Sequence, residues 1–289
     1  MSNSTPQSRS TAEPTSAGHG PAAGGPVNAA LPERAPAERT ARTPAPAPLR
    51  SRVLRQGRYE TLTMLRNGEQ LILAIVLPLL ALVALSVLPL LDGLGASRIN
   101  IATPGVLALC AMSTAFTGQG IATGFDRRYG VLRFLSTTPL GKAGLIAGKV
   151  LAVLAVLVLQ SAVVAVVALF LGWHPPLVGI LLGIPLLALG AISFTALGLL
   201  VAGTARPEAT LALTNLLWIL LGALGGIVLP PTRLPVVVQD VVFFLPSGAL
   251  GEAMRNALIA GQLNFFAVVI LLGWSVLASA AAVRWFKWS

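Results

Sequence analysis

From Gln70 onward the chain is built of long apolar runs broken by short polar stretches, with neither the two-residue period of a half-buried strand nor the stripe of a surface helix. Six runs contain no Asp, Glu, Lys or Arg: Gln70–Leu91, Ile101–Phe125, Val150–Leu171, Leu177–Ala202, Thr210–Leu229 and Phe265–Val283. A spanning helix needs about 20 mostly apolar residues. The runs therefore predict an all-α integral membrane protein with six transmembrane helices.

Two segments depart from this pattern, one between the fifth and sixth spans and one ahead of the first. Leu234–Pro246 is apolar but too short to cross, and it holds Asp240, so it reads as a re-entrant or interfacial element. After it, Leu250, Met254 and Leu258 fall on one helical face, with Ser247 placed as an N-cap. Two short helices are thus expected over 230–264. Ahead of the first span, Leu54, Leu62 and Leu65 recur at helical spacing, with Arg52, Arg55 and Arg58 mostly elsewhere. That pattern suits a basic amphipathic helix lying in the headgroup plane, or a plain charged flank. Residues 1–48, rich in Pro, Ala, Ser, Thr and Gly, cannot bury enough apolar surface to offset the cost of ordering, and read as a disordered cytoplasmic tail. They lack the apolar core of a secretory signal. Residues 49–289 form one transmembrane domain.

Composition agrees: 55% of residues are hydrophobic and 10% charged, where soluble domains carry about 25% charged. The net charge of +10 could suggest nucleic acid, but its placement excludes that reading. With the N-terminus inside, all but Arg98, Arg233 and Arg255 of the 20 Lys and Arg lie on the cytoplasmic side. This obeys the positive-inside rule and puts both termini in the cytoplasm, with Trp285 and Trp288 at the interface. Heavy use of Ala, Gly, Pro and Arg points to a bacterial source, hence a bacterial cytoplasmic membrane.

The chemistry that is missing narrows the function. No span carries the charged group that ion-coupled carriers and voltage sensors use. The chain has no paired aspartates for Mg²⁺, no Ser/His/Asp set at one depth, and no metal-ligand cluster around Cys110, His19 or His174. The phosphate-binding pattern G-x-x-x-x-G-K-[ST] fails at "AGLIAGKV", where Ala143 and Val150 replace the first Gly and the Ser/Thr. The chain reads as a pathway without its own energy source, and not as an enzyme.

The loop 126–149, "DRRYGVLRFLSTTPLGKAGLIAGK", is longer than a connector needs. Val131, Leu132, Phe134 and Leu135 alternate with Arg133 as in a short amphipathic helix, stopped by Pro139 and Gly141. Lys142 and Lys149 would sit at the membrane surface. Such a helix suits insertion into a partner's groove, or rest on lipid headgroups. Among polar residues in the spans, Gln119, Thr123 and Asn215 are candidates for a substrate pathway, although small hydroxyl residues also serve helix packing.

Here the sequence resembles the permease subunits of type 2 ABC transporters. The match in the loop is Asp126, Arg127, Gly130, Leu132, Leu135, Thr138, Pro139, Leu140, Gly148 and Lys149, with glutamate commoner in the family where Asp126 stands. A second match is Pro231, Pro235, Pro246, Glu252 and Arg255, before the last span. The resemblance covers residues 50–289. It implies an exporter half that pairs with a second permease, identical or similar, and is powered by a separate cytoplasmic ATPase that binds ATP and Mg. The loop would be the coupling helix, with Asp126, Arg127, Arg128, Gly130, Leu132, Arg133, Leu135, Pro139 and Lys149 engaging the ATPase. Arg127 and Arg128 could instead only enforce topology. The helix before the first span would lie along the membrane lipid, and Pro235, Pro246, Glu252 and Arg255 would belong to an outer gate. The uncharged lining suits a hydrophobic or amphipathic substrate, such as a drug, antibiotic or lipid. The competing readings are an assembly protein for envelope, lipid or haem biogenesis, or an ATP-independent carrier.

Overall fold

The computed structural model describes residues 47–287. The tail expected over residues 1–48 lies outside these except for Ala47 and Pro48, as do His19 and Trp288. Among the described residues all regular structure is helical.

Five helices are long and apolar enough to span: α2 (Gly68–Val87), a continuous helix Arg98–Arg128, α6 (Gly141–Phe170), α7 (Leu177–Thr204) and α11 (Phe265–Trp285). The continuous helix comprises α3 (Arg98–Met112), a π-helical turn Ser113–Gly118 and α4 (Gln119–Arg128). α8 (Pro207–Ala223) has 17 residues, so it reaches about 25 Å, short of a bilayer core of about 30 Å. The bundle is completed by α1 (Leu49–Arg66), α5 (Val131–Ser136), α9 (Val236–Phe244) and α10 (Pro246–Ala260).

The differences from the expected spans have local causes. α2 stops at Val87 rather than Leu91 because Leu88, preceding Pro89, is held extended with ψ 145°. α8 ends at Ala223 rather than Leu229, in a Gly-Gly turn where Gly226 has φ +70°. α6 starts at Gly141, well before Val150, so Lys142 and Lys149 are helical residues. α9 and α10 meet at 89°, set by extended Leu245 ahead of Pro246 at the first position of α10. Ser247 is therefore in the first turn rather than at the N-cap, and its buried hydroxyl has no hydrogen-bond partner.

The Arg98–Arg128 helix is the central stave, buried along almost its whole apolar length, whereas α2 at the periphery is largely exposed. Small residues let its neighbours come close. A Cβ on Gly198 of α7 would stand 2.5 Å from the Phe116 carbonyl oxygen in the π-helical turn. Gly120 and Gly124, one turn apart, receive Thr214 and Thr210 of α8. Those glycines serve packing, as hydroxyl-and-glycine seams do between membrane helices.

At the end of the bundle away from α5, Arg98 makes a two-pronged pair with Asp92 (2.5 and 2.7 Å), and Arg233 donates to the Asp92 carbonyl. The Arg98 hydrogen bonds hold the Asp92 carboxyl below the usual carboxylate range. Replacing Gly198 by Leu should overpack the stave and destabilise the protein by about 1–3 kcal/mol, while Gly273→Leu, in open space, should be close to neutral. Thermal melting in detergent, followed by size-exclusion chromatography, reads the difference.

Candidate functional site

The loop between the central stave and α6 is folded. Tyr129 ends α4, and Gly130 reverses the chain with φ +76°, a conformation that suits glycine. α5 then runs for six residues, and the Thr138 hydroxyl closes back on the Leu135 carbonyl at 2.7 Å. Gly141, with φ +70°, starts α6.

Two faces of α5 do different work. Leu132 has no exposed surface and packs with Leu140, Leu145 and Phe286, with Leu135 at the edge of the cluster. Tyr129 and Phe134 are each 72% exposed, and Val131, Arg128 and Arg133 are exposed beside them. The apolar residues free to meet a partner are thus Tyr129, Val131 and Phe134, whereas Leu132, expected on that face, is committed to its own chain. A periodic pattern on so short a helix gives two apolar sides and no means of telling which one looks inward.

The loop is pinned at several points. Arg127 donates to the Ala202 and Ala205 carbonyls (3.3 and 2.7 Å), placing a cation against the C-terminal carbonyls of α7. Arg52 of α1 donates to the Pro139 carbonyl. At the neck, Lys149 Nζ lies 3.2 Å from Asp126 Oδ2 and 3.1 Å from Glu60 Oε1. The Lys149 side chain is 0% exposed, so it presents nothing to a partner at the membrane surface; it is an internal cation held by two carboxylates. Glu60 carried no signal in the sequence, because its partner lies far along the chain.

α1 forms as expected, but its Leu54, Leu62 and Leu65 point away from the bundle. Its inward face is Gly57 and Glu60, laid along the start of α6: a Cβ on Gly57 would meet Leu151 at 3.0 Å, and one on Gly148 would meet Gln56 at 2.7 Å.

The pathway candidates separate. Gln119 and Thr123 are buried, and Gln119 Oε1 and Thr123 Oγ1 have no hydrogen-bond partner. Asn215 is exposed on α8, apart from them. Of the outer residues, Arg255 is buried and donates to the Gly226 and Ile227 carbonyls (2.8 and 3.2 Å) and to Glu252 (3.3 Å). It satisfies carbonyls left open just past the end of α8. Pro246 is buried at the bend and Pro235 is exposed ahead of α9. Glu252, Arg255, Asn256 and Gln239 line a depression of about 690 Å³ between α9, α10 and the α2–α3 connection.

The two faces of α5 give opposite expectations. Leu132→Ala should cost about 2–5 kcal/mol of stability, as for a fully buried leucine, whereas Phe134→Ala should stay within about 0.5 kcal/mol. Melting curves of the two variants in detergent decide this.

A comparison with curated proteins finds no match. The family model described as ABC-2 type transporter matches residues 56–259, more than half of the chain. The match runs from α1 through α5 to α10 and so takes in both the pinned loop and the bent outer pair. The chain belongs to the ABC-2 type transporter family and is a multi-pass membrane permease of that class, whose transport is driven by an ABC ATPase.

Proposed function

We propose that this permease is half of an exporter that moves a hydrophobic or amphipathic substrate, of drug, antibiotic or lipid type, out of a bacterial cytoplasm. A separate ATPase subunit binds ATP and Mg and docks on α5. The observation that carries the reading is the outward face of the loop: Tyr129, Val131 and Phe134 exposed between Arg128 and Arg133, on a helix fixed to the bundle by Leu132. An aromatic anchor ringed by arginines is the composition of an energetic centre in a protein interface. A loop resting on lipid headgroups would need no such rigid mounting.

The topology of this reading takes the outer pair as re-entrant. α9 and α10, bent by 89°, go in and return on one side, while α8 with the turn after it makes the remaining crossing. Six crossings leave α1 and the end of α11 on the cytoplasmic side with the loop.

Pairing with a second permease, identical or similar, is supported at α8. Asn215 lies among exposed Leu211, Leu216 and Ile219, and among the described residues it makes no hydrogen bond. An amide facing lipid is left without a partner, whereas a neighbouring permease helix supplies one. Gln119 and Thr123, with unpartnered oxygens, supply polar groups for the pathway. The Arg255 latch, with Glu252, Pro235 and Pro246, forms the outer gate.

The test is purification of the tagged protein in mild detergent, identification of a co-purifying ATPase, and ATP hydrolysis in lipid. Phe134→Asp should weaken ATPase binding by about 30-fold or more, the loss of one interface anchor, with membrane insertion unchanged. ATPase binding and transport as in the unaltered protein would remove the docking role. Asn215→Leu should weaken permease pairing by about 0.6–2 kcal/mol, read by the dimer fraction in detergent against concentration.

A further inference from the structure

Lys149 stands where three segments meet. Glu60 comes from the middle of α1, Asp126 from the last turn of α4, and Lys149 from the third turn of α6. Asp126 and Lys149 are the two ends of the docking loop, and their ion pair (3.2 Å) closes its neck. Glu60 adds α1 to the same joint, with one carboxylate oxygen 3.1 Å from Lys149 Nζ and the other 3.2 Å away. It is itself held by Gln56, whose amide donates to Glu60 Oε1 at 2.9 Å. The close approach of Gly57 and Gly148 lets the backbones of α1 and α6 come near enough for this reach.

The two carboxylates are not equivalent. The Glu60 side chain is 12% exposed and that of Asp126 is 30% exposed, while Lys149 has no exposed surface. If Asp126 lets go, water reaches its carboxylate and Lys149 keeps Glu60. If Glu60 is neutralised, the buried ammonium loses its deeper partner, and removing one partner of a buried ion pair is strongly destabilising. One arm of the joint is therefore structural and the other releasable.

We infer that Lys149, Glu60 and Asp126 form a releasable clasp in which Glu60–Lys149 fixes α1 to α6, and Asp126 sets the position of α5 relative to both. Asp126 is the positioning residue. When α5 is pushed by a partner, the movement passes to α6 and α1 together as long as Asp126 holds, and is lost in the loop when it does not. This rests on the docking role proposed for α5. The clasp itself makes a claim about the permease alone, so the two can fail separately.

The experiment uses the full-length protein in lipid nanodiscs, with spin labels at Thr63→Cys on α1 and Ser136→Cys on α5, both exposed positions, while native Cys110 is buried. Double electron–electron resonance should give one narrow distance population. Asp126→Asn should broaden it, and Asp126→Glu, which keeps the charge, should restore it. Glu60→Gln should cut the yield of monodisperse protein severalfold instead. With the ATPase present, Asp126→Asn should lower substrate moved per ATP hydrolysed by roughly fivefold or more, the lower end of a typical coupling between sites. An Asp126→Asn distribution as narrow as the unaltered one would overturn the clasp. A broadened distribution with unchanged transport per ATP would overturn its role in coupling. Failure of any ATPase to bind the unaltered protein would remove the docking reading, and the distance measurement would still decide the clasp.

Discussion

An ammonium group with no exposed surface must be neutralised where it stands, because stripping its water costs several kcal/mol even after the surroundings relax. At Lys149 that requirement draws together parts of the chain that hydropathy alone would leave independent. α1 is brought alongside α6, the last turn of α4 is brought to the start of α6, and the loop between them becomes a closed unit. The Arg127 contacts with the end of α7 and the packing of Leu132 on Phe286 then follow at short range, because the neck has already fixed where α5 can lie.

The spans were legible because a membrane helix is announced by composition, and the runs free of charge map onto the helices. Their ends were less so. Leu88 before Pro89 and the glycines after α8 set boundaries through backbone sterics that an apolar count ignores. The existence of α5 was readable from its alternation of apolar and basic residues, with Pro139 and Gly141 behind it. Its orientation was not. Leu132 and Phe134 are equally apolar, and what separates them is Phe286 at the far end of the sequence. Lys149 was misplaced for the same reason: a lysine beside a span normally reaches for the headgroups, and only the distant Glu60 makes burial affordable.

The other end of the bundle follows a related logic with backbone groups in place of a lysine. The turn after α8 leaves the Gly226 and Ile227 carbonyls without helical partners, and Arg255 supplies donors from α10. The bent outer pair is thereby tied to the end of α8 by a charged group inside a largely apolar setting. Within the stave, three buried side-chain oxygens have no hydrogen-bond partner, those of Thr117, Gln119 and Thr123. They are the polar exceptions in the most buried helix of the molecule.

The closed neck of the loop separates two kinds of sequence change. Asp126, Arg127 and Lys149 at the neck and Leu132 on the inward side of α5 are bound to positions in other helices, and altering Lys149 or Leu132 disturbs the bundle. Val131, Arg133 and Phe134 are exposed on the outward side of α5, with Tyr129 beside them stacked on Phe125. Under the docking role proposed for α5, exchanging these residues changes the recognition surface without redesigning the spans.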